Sequence, residues 1–462
     1  MHNNVSLTLT SEQHLALKAH LFPGDGCEAV VLLICGRRAG STRHRLTVQK
    51  MVPIPHEECE LRTPDQVVWS TDFLLPLLQK VEERDLAIVK VHSHPGGYRA
   101  FSPYDDESDQ VILPFLRNIT GGHLPHASVV MLPDGEMFGR VSDADDTFLP
   151  LSSINVVGDD LLFWWDMLAS GLPEYAMRDA QAFGRGTVGR LQRLTIGVVG
   201  CSGTGSPLIE LLARLGIGRL ILVDPDHIEK KNLNRIVNST YMDAVRQTPK
   251  VEVLARAIAA LNFGTDIVAL AKDVHDSEVI KALGECDVVF GCMDSIDGRA
   301  TLNQIASYYL LPYFDLGVRL EADGNGGIDG IWGRVDYVQP GRSSLQSRGV
   351  FTAEQLYAAS TKRTDPEMYE KLRKQAYIVN IQEDAPAVAS INMQVAAMAV
   401  NDFLARLHPY RFDHNSAFAR LDYLFHDCST IPTPEAKFEV SQALSKDIGK
   451  ADWLFKMPGF TR

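Results

Sequence analysis

The sequence contains no CxxC pair. Its seven cysteines, Cys27, Cys35, Cys59, Cys201, Cys286, Cys292 and Cys428, lie scattered along the chain. That excludes both a disulfide framework and a cysteine zinc knuckle. No run of basic residues occurs and the net charge is -13. A general nucleic-acid binder needs clustered Lys and Arg, so that class is excluded too. The most apolar stretches are about ten residues long, half of a membrane span. The opening MHNNVSLTLTSEQHLAL has neither the basic region nor the apolar core of a signal peptide. No internal repeat or low-complexity tract is seen. These absences leave a cytoplasmic enzyme as the expectation, without nucleic-acid or membrane partners.

What is there is a chain of 462 residues, 45% hydrophobic and 22% charged. It is long enough for two or three domains with their own cores. Two α/β patterns follow one another. In the first, SEQHLALKAHLF has helical spacing, GCEAVVLLICG is a helix end or a strand, and HRLTVQKMVPIP is a strand. TDFLLPLLQKVEERD and DQVILPFLRNIT read as helices, and DLAIVKVHSHP as a short buried strand. HASVVMLP and EMFGRVSD read as strands joined by a turn. Residues 151–175 read as a packed connector carrying a helix, with Trp164 and Trp165 in it. From RLTIGVVGCSGTGSPLIELLARLGIGRLILVDPD onward, strands and helices alternate as in a mostly parallel sheet. After residue 313 the glycine-rich GNGGIDGIWGRVDYVQPG predicts antiparallel strands, and residues 388–406 a tightly packed small-residue helix.

His92 and His94 stand two apart on or just beyond a strand, so alternation sends both side chains to one face. Asp105 follows a glycine-containing loop and can close a His/His/Asp set. Zinc with three protein ligands and one open position lowers the pKa of a water towards neutral. Glu28, an acid inside an apolar run, is costly to bury without a partner and is the candidate base. Ser102 could donate a hydrogen bond to a developing oxyanion. A metal-free polar loop is the competing reading of His-x-His alone, and the added residues weigh against it.

Together with Pro95 these residues spell a distant Glu followed by H-x-H-P-x7-S-x-x-D. Residues 1 to about 150 thereby resemble a JAB/MPN (JAMM) metalloprotease domain. The resemblance implies zinc on His92, His94 and Asp105, with Glu28 as general acid/base. It implies cleavage of peptide or isopeptide bonds after the C-terminal glycine of a ubiquitin-like protein. Asp106, Glu107 and Asp109 are extra acids, expected in a solvated loop.

The run GCSGTGS places Gly200, Gly203 and Gly205 between a strand and a helix, where backbone N–H groups meet phosphates. Dehydrogenases have such turns as well. Asp224 ends the next strand, near the spacing of a ribose-binding acid. Asn232 and Arg235 follow in DPDHIEKKNLNR, Lys250 lies in TPKVEVLARAIAALN, and Asp294 closes CDVVFGCMDS. Two cations and an acid able to hold Mg²⁺ suit attack on an α-phosphate better than hydride transfer.

Residues 176–462 resemble the ThiF/MoeB/ubiquitin-activating enzyme superfamily through the glycine turn, LVDPDHIEKKNLNR, Pro249–Lys250, the aspartate of CMDS, and PYFDLGV. That resemblance implies a Rossmann-like fold and ATP-dependent adenylation of the C-terminal carboxylate of a ubiquitin-like protein, or occasionally of a peptide. It implies Asp224 on ribose, Asn232, Arg235 and Lys250 on phosphates, Asp294 on magnesium, and Arg178 offered to a neighbouring subunit in a homodimer. Relatives often carry CxxC where this chain has Ser344-x-x-Ser347, so no structural zinc is expected in this half. No cysteine stands out as a thioester nucleophile, neither Cys292 nor Cys428. Acyl transfer to Ser344 or Ser347 is disfavoured, because serine without a base is a poor nucleophile.

The expected whole is an α/β protein of two domains, 1–150 and 176–462, with Zn²⁺, ATP and Mg²⁺. It would cleave after a modifier's C-terminus and activate that terminus, in a bacterial conjugation system such as an antiviral one, where a conjugating enzyme would be a further partner. A sulfur-carrier activating enzyme, a peptide-modifying adenylyltransferase, and a protease fused to a non-catalytic modifier-binding domain are the alternatives.

Overall fold

The structure, a computed structural model, describes residues 4–120, 124–143, 147–166, 171–323, 325, 327–374, 388–457 and 460. It divides into two compact units. One is Met1–Leu168 with Tyr308–Leu310 and Asp447–Arg462; the other is Ala169–Ser307 with Leu311–Lys446.

The first unit is built on a nine-stranded sheet. Its strands are β1 (Val5–Thr10), β2 (Val30–Ala39), β3 (His44–Pro53), β4 (Ala87–Ser93), β5 (Ala127–Met131), β6 (Met137–Ser142), β7 (Phe148–Pro150), β8 (Ser153–Val157) and β9 (Leu161–Trp165). Their order is β9-β8-β1-β3-β2-β4-β5-β6-β7. Among the described residues, helices α1 (Ser11–Leu21), α2 (Leu75–Glu83) and α3 (Pro103–Ile119) accompany them.

The ambiguous run GCEAVVLLICG is the strand β2, and its continuous apolarity has a physical cause. Val31, Leu33 and Cys35 enter a core with Leu17 and Leu21 of α1. Val30, Leu32 and Ile34 enter the opposite core with Val81 of α2 and Ile112 and Leu116 of α3. A strand covered on both faces has no polar side to alternate with.

Among the described residues of 151–175, where a helix is expected, 153–157 and 161–165 form strands. β8 runs parallel to β1 and β9 antiparallel to β8, so both extend the sheet. Ile154 and Val156 lie in the core beside Trp164, and Trp165 stacks on Phe163. The alternation lasts only five residues per strand, too short a window to separate from a helical pattern. The closing segment also differs from expectation. Asp447–Arg462 groups with the first unit, where Thr47 donates to the Gly449 carbonyl at 2.7 Å and Arg38 meets Asp452 at 3.3 Å.

The second unit holds an eight-stranded sheet: β10 (Thr195–Val199), β11 (Arg219–Val223), β12 (Asp266–Leu270), β13 (Val288–Gly291), β14 (Tyr313–Ala322), β15 (Ile328–Val338), β16 (Arg420–Leu424) and β17 (Ser429–Thr433). The order is β12-β11-β10-β13-β14-β15-β16-β17. The first five strands are mutually parallel, and β15 to β17 continue antiparallel. α4 (Met177–Leu191) precedes β10, and α5 (Gly205–Arg214) follows it. α6 (Lys250–Leu261) connects β11 to β12, and α7 (Ala389–Leu407) is the small-residue helix.

The antiparallel part is pinned by one buried acid. Asp336 on β15 is fully buried and meets Arg334 at 2.7 Å, Arg348 at 3.0 Å and Arg420 at 2.8 Å. Burial alone would raise its carboxyl, but the three guanidinium groups outweigh burial and hold it below the ordinary carboxylate range. Its stabilising contribution is therefore complete above that range and is lost as pH falls through the folded-state value. Asp336→Asn should destabilise the second unit by about 3–5 kcal/mol, because three cations lose their shared counter-charge. Urea unfolding of the full chain at neutral pH measures it; an unchanged midpoint would refute the assignment.

Candidate functional site

The first site forms where β4 runs out beside β2. The register pairs Val30 with His92, so continuing it outward sets Glu28 against His94. Backbone bonds extend the match, with Ser93 N–H donating to Ala29 O and Ala29 N–H to Ser93 Oγ. The Asp105 carboxylate comes from the first turn of α3, whose N-cap is Ser102.

Each of the three residues His92, His94 and Asp105 offers one ligand atom, and these atoms lie within 4.8 Å of one another. His92 Nε2 is 2.8 Å from Asp105 Oδ1 and 3.1 Å from His94 Nε2, which is 3.4 Å from Asp105 Oδ2. Glu28 Oε1 is 3.9 Å from His94 Nε2. All four side chains are buried. The Tyr98 carbonyl lies 2.8 Å from His94 Nδ1 and assigns the ring proton there, leaving Nε2 as an electron-pair donor. Two ring nitrogens and a carboxylate converging in a buried pocket fit a cation held by three protein ligands, as a zinc centre requires.

The electrostatics of the four groups follow from these contacts. Burial pushes the His92 imidazole down, which favours its neutral, ligating form. Burial also lowers His94, but Asp105, the Tyr98 carbonyl and Glu28 outweigh it, for a net rise. Asp105 is held far below the usual carboxylate range. Burial opposes this, but contacts with both histidines and the hydrogen bond from the Ser102 N–H dominate. Glu28 is raised to about 8, chiefly by burial. A carboxyl that keeps its proton near neutral pH can give and take one there.

Ser102 has a different position from an oxyanion donor. Its hydroxyl donates to Asp105 Oδ2 at 2.8 Å, its N–H donates to the same oxygen at 2.7 Å, and its Oγ accepts the Asp105 N–H. The spacing S-x-x-D is a helix capping box, readable in the sequence by its own signature. Ser102 holds the Asp105 carboxylate in place. The extra acids also differ from expectation, since all three belong to α3. Asp109 is fully buried, meeting Lys90 at 2.5 Å and Arg140 at 2.8 Å.

The second site lies at the carboxyl ends of β10, β11 and β13. β10 pairs with β11 on one side and with β13 on the other, so the chain changes direction across the sheet there. Crevices at such points receive ligands in open α/β sheets. A cleft of about 560 Å³ is lined by Gly200, Gly203, Asp224, Asn232, Arg235, Lys250 and Asp294, among others.

Gly200 has φ +95°, a conformation that L side chains rarely adopt, and its N–H donates to Val223 O. Gly205 opens α5 so close to this turn that a Cβ would sit 1.8 Å from the Gly200 oxygen. Asp224 accepts from the Cys201 N–H at 2.7 Å and the Asp226 N–H at 2.9 Å. Lys250 Nζ is 3.7 Å from Asp224 and 2.7 Å from Asp226. Burial raises the Asp224 carboxyl against the pull of Lys250. Asn232 is buried, its Oδ1 accepting the Glu229 N–H at 2.9 Å. Arg235 donates to the Lys231 carbonyl and to Asn234, leaving its guanidinium at the cleft wall. Asp294 is exposed at the cleft rim.

Arg178, on α4, is exposed and does not line this cleft. Cys292 lines it, but burial pushes its thiol strongly up. Cys428 is exposed. Ser344 and Ser347 close a turn on each other, with the Ser344 N–H donating to Ser347 Oγ at 2.9 Å. Sequence reasoning missed Asn392 of α7, which lines the cleft from far along the chain.

The family model that matches is the ThiF family, over residues 176–441. Among curated proteins, the SAMP-activating enzyme E1 of Haloferax volcanii is 34% identical over 124 residues, 27% of this chain and 45% of that protein. The adenylyltransferase and sulfurtransferase MOCS3 of Danio rerio is 34% identical over 113 residues, 24% of each chain. Ubiquitin-like modifier-activating enzyme 5 of Caenorhabditis elegans is 28% identical over 169 residues, 34% of this chain and 37% of that protein. The chain thus spans less than half the length of these relatives. A solved structure, E. coli MccB with MccA-N7isoASN, is similar at 18% identity and a TM-score of 0.46, covering 60% of this chain and 75% of that one.

If Ser102 serves by orienting Asp105, Ser102→Ala should weaken zinc binding by about 10- to 100-fold, the usual cost of losing a ligand's hydrogen-bond partner. Competition against a chromogenic chelator reads the affinity. Unchanged zinc affinity with lost hydrolysis would instead return Ser102 to the oxyanion role.

Proposed function

This chain belongs to the ThiF family, and on that premise we propose that its second unit activates the C-terminal carboxylate of a small carrier protein or peptide with ATP. A carboxylate oxygen bonds to the α-phosphorus and pyrophosphate leaves, giving an acyl-adenylate. The observation that carries the reading is the cleft, where the glycine turn, Asp224, Asn232, Arg235, Lys250 and Asp294 line one crevice. In this assignment Asp224 binds ribose, and Asn232, Arg235 and Lys250 neutralise the phosphates. Asp294 carries magnesium from its exposed position, and Arg178 serves the cleft of a second copy in a homodimer.

The relatives' names span a SAMP-activating enzyme, a sulfurtransferase-linked adenylyltransferase and ubiquitin-like modifier activation. Carboxylate activation is the chemistry they suggest in common. With the half-buried Cys292 thiol pushed up by desolvation, we assign direct hand-over of the acyl-adenylate to an acceptor, without an enzyme thioester. This supports a sulfur-carrier or peptide substrate ahead of a ubiquitin-like conjugation cascade.

A specific observation favours a second activity in the first unit. His92, His94 and Asp105 converge within the JAMM-like motif, beside a buried Glu28. Zinc bound there would supply Lewis acidity towards a peptide carbonyl and a water of lowered pKa. Glu28 would take the proton from the attacking water and return it to the leaving amine. Residues 1–150 are proposed as that peptidase, and cleavage after the same carrier's C-terminus would expose the carboxylate to be activated.

Two measurements on the full chain test these readings separately. ATP–pyrophosphate exchange should require a carrier or peptide with a free C-terminal carboxylate, and Lys250→Ala should lower it by about 10²–10³-fold. Exchange that proceeds equally with an amidated terminus would refute the assignment. Glu28→Gln should lower cleavage of a C-terminally extended carrier by about 10²–10⁴-fold and leave exchange intact. Full cleavage by that variant would remove Glu28 from the chemistry.

A further inference from the structure

The nucleotide cleft has one wall that the assignments above do not use. Asn392 lies on α7 and is 3% exposed, yet it is among the residues lining the cleft. Its carboxamide packs against the glycine turn so closely that a Cβ on Gly203 would sit 2.5 Å from Nδ2. The same Cβ position is 3.3 Å from Arg235 Cδ. Gly203 is therefore clasped between a neutral amide on one side and the arginine stem on the other. Only a residue without a side chain leaves both groups this near the turn.

The orientation of the amide follows from its neighbour. Thr204 Oγ1 is 3.5 Å from Asn392 Oδ1 and donates its hydrogen to it. With Oδ1 directed to the threonine, the two N–H bonds of Nδ2 are on the Gly203 side. A phosphate chain laid on the glycine turn would supply acceptors for those N–H bonds. Turning the amide over would place a carbonyl oxygen against that anion instead.

We propose that Asn392 is a binding residue for the nucleotide, donating Nδ2–H to the phosphate chain where it passes Gly203, opposite Arg235. The proposal rests on the adenylation reading and adds a side chain to it. It gives α7 a part in the site. A neutral donor at this place binds phosphate oxygens without adding a cation to a cleft that already holds Arg235 and Lys250.

The test is calorimetric binding of ATP and of a non-hydrolysable analogue to the full chain, with thermal unfolding of each ligand-free variant in parallel. Asn392→Ala should weaken nucleotide binding about 10-fold, the usual loss of a hydrogen bond to a charged group. Asn392→Asp keeps the shape but replaces both donors with a negative charge, so its loss should be larger than that of alanine. A spacer role alone predicts the reverse order, with the isosteric aspartate milder than alanine. Wild-type affinity in both folded variants, or that reversed order, overturns the proposal. Asparagine-to-serine substitution, smaller and neutral, keeps the comparison readable if aspartate prevents folding. If the wild-type chain binds neither nucleotide, the adenylation reading itself fails and the role of Asn392 falls with it, a result distinct from an indifferent Asn392.

Discussion

A carboxylate removed from water must be given either a counter-charge or a proton, and both sites of this chain are built on that constraint. Each answer is different. Asp105 has two imidazoles and two donors from Ser102. Glu28, 3.9 Å from His94, is raised to about 8, chiefly by burial. Asp224 has two backbone N–H groups with Lys250 behind them. Asp336 has three arginines. The chemistry proposed for each acid follows from the partner it was given: a ligand, a proton carrier, a polar anchor and a structural pin.

Strand ends do the positioning in both units. In the first, the antiparallel register of β2 and β4 brings Glu28 beside His94, while alternation on β4 turns His92 and His94 to one face. In the second, parallel neighbours end together, so the residues after Val199 and Val223 meet as the glycine turn and Asp224. Placing each site at strand ends fixes distances that the proposed reactions depend on.

Much of this was legible in the sequence, because the informative signals are local. His-x-His on a strand, a glycine turn between strand and helix, and an acid ending the next strand each declare themselves within a few residues. What escaped reading had one of two causes. Ser102 and Asp105 carried two meanings at one spacing, a motif and a capping box, and the hydrogen bonds assign the serine to the box. Asp109 looked like a loop acid because its partners, Lys90 and Arg140, approach from β4 and β6. β8 and β9 are five residues each, too short to fix a period. Asn392 is 188 residues from Thr204, a separation no local pattern spans.

The proposed chemistry needs two centres, one ordered around a metal and one around a nucleotide. Zinc content of the full chain, set against pyrophosphate exchange by the same preparation, addresses that most directly. One zinc per chain in the wild type is predicted, falling close to zero in Asp105→Asn while exchange persists. Zinc retained in Asp105→Asn, or exchange lost along with the metal, would contradict it.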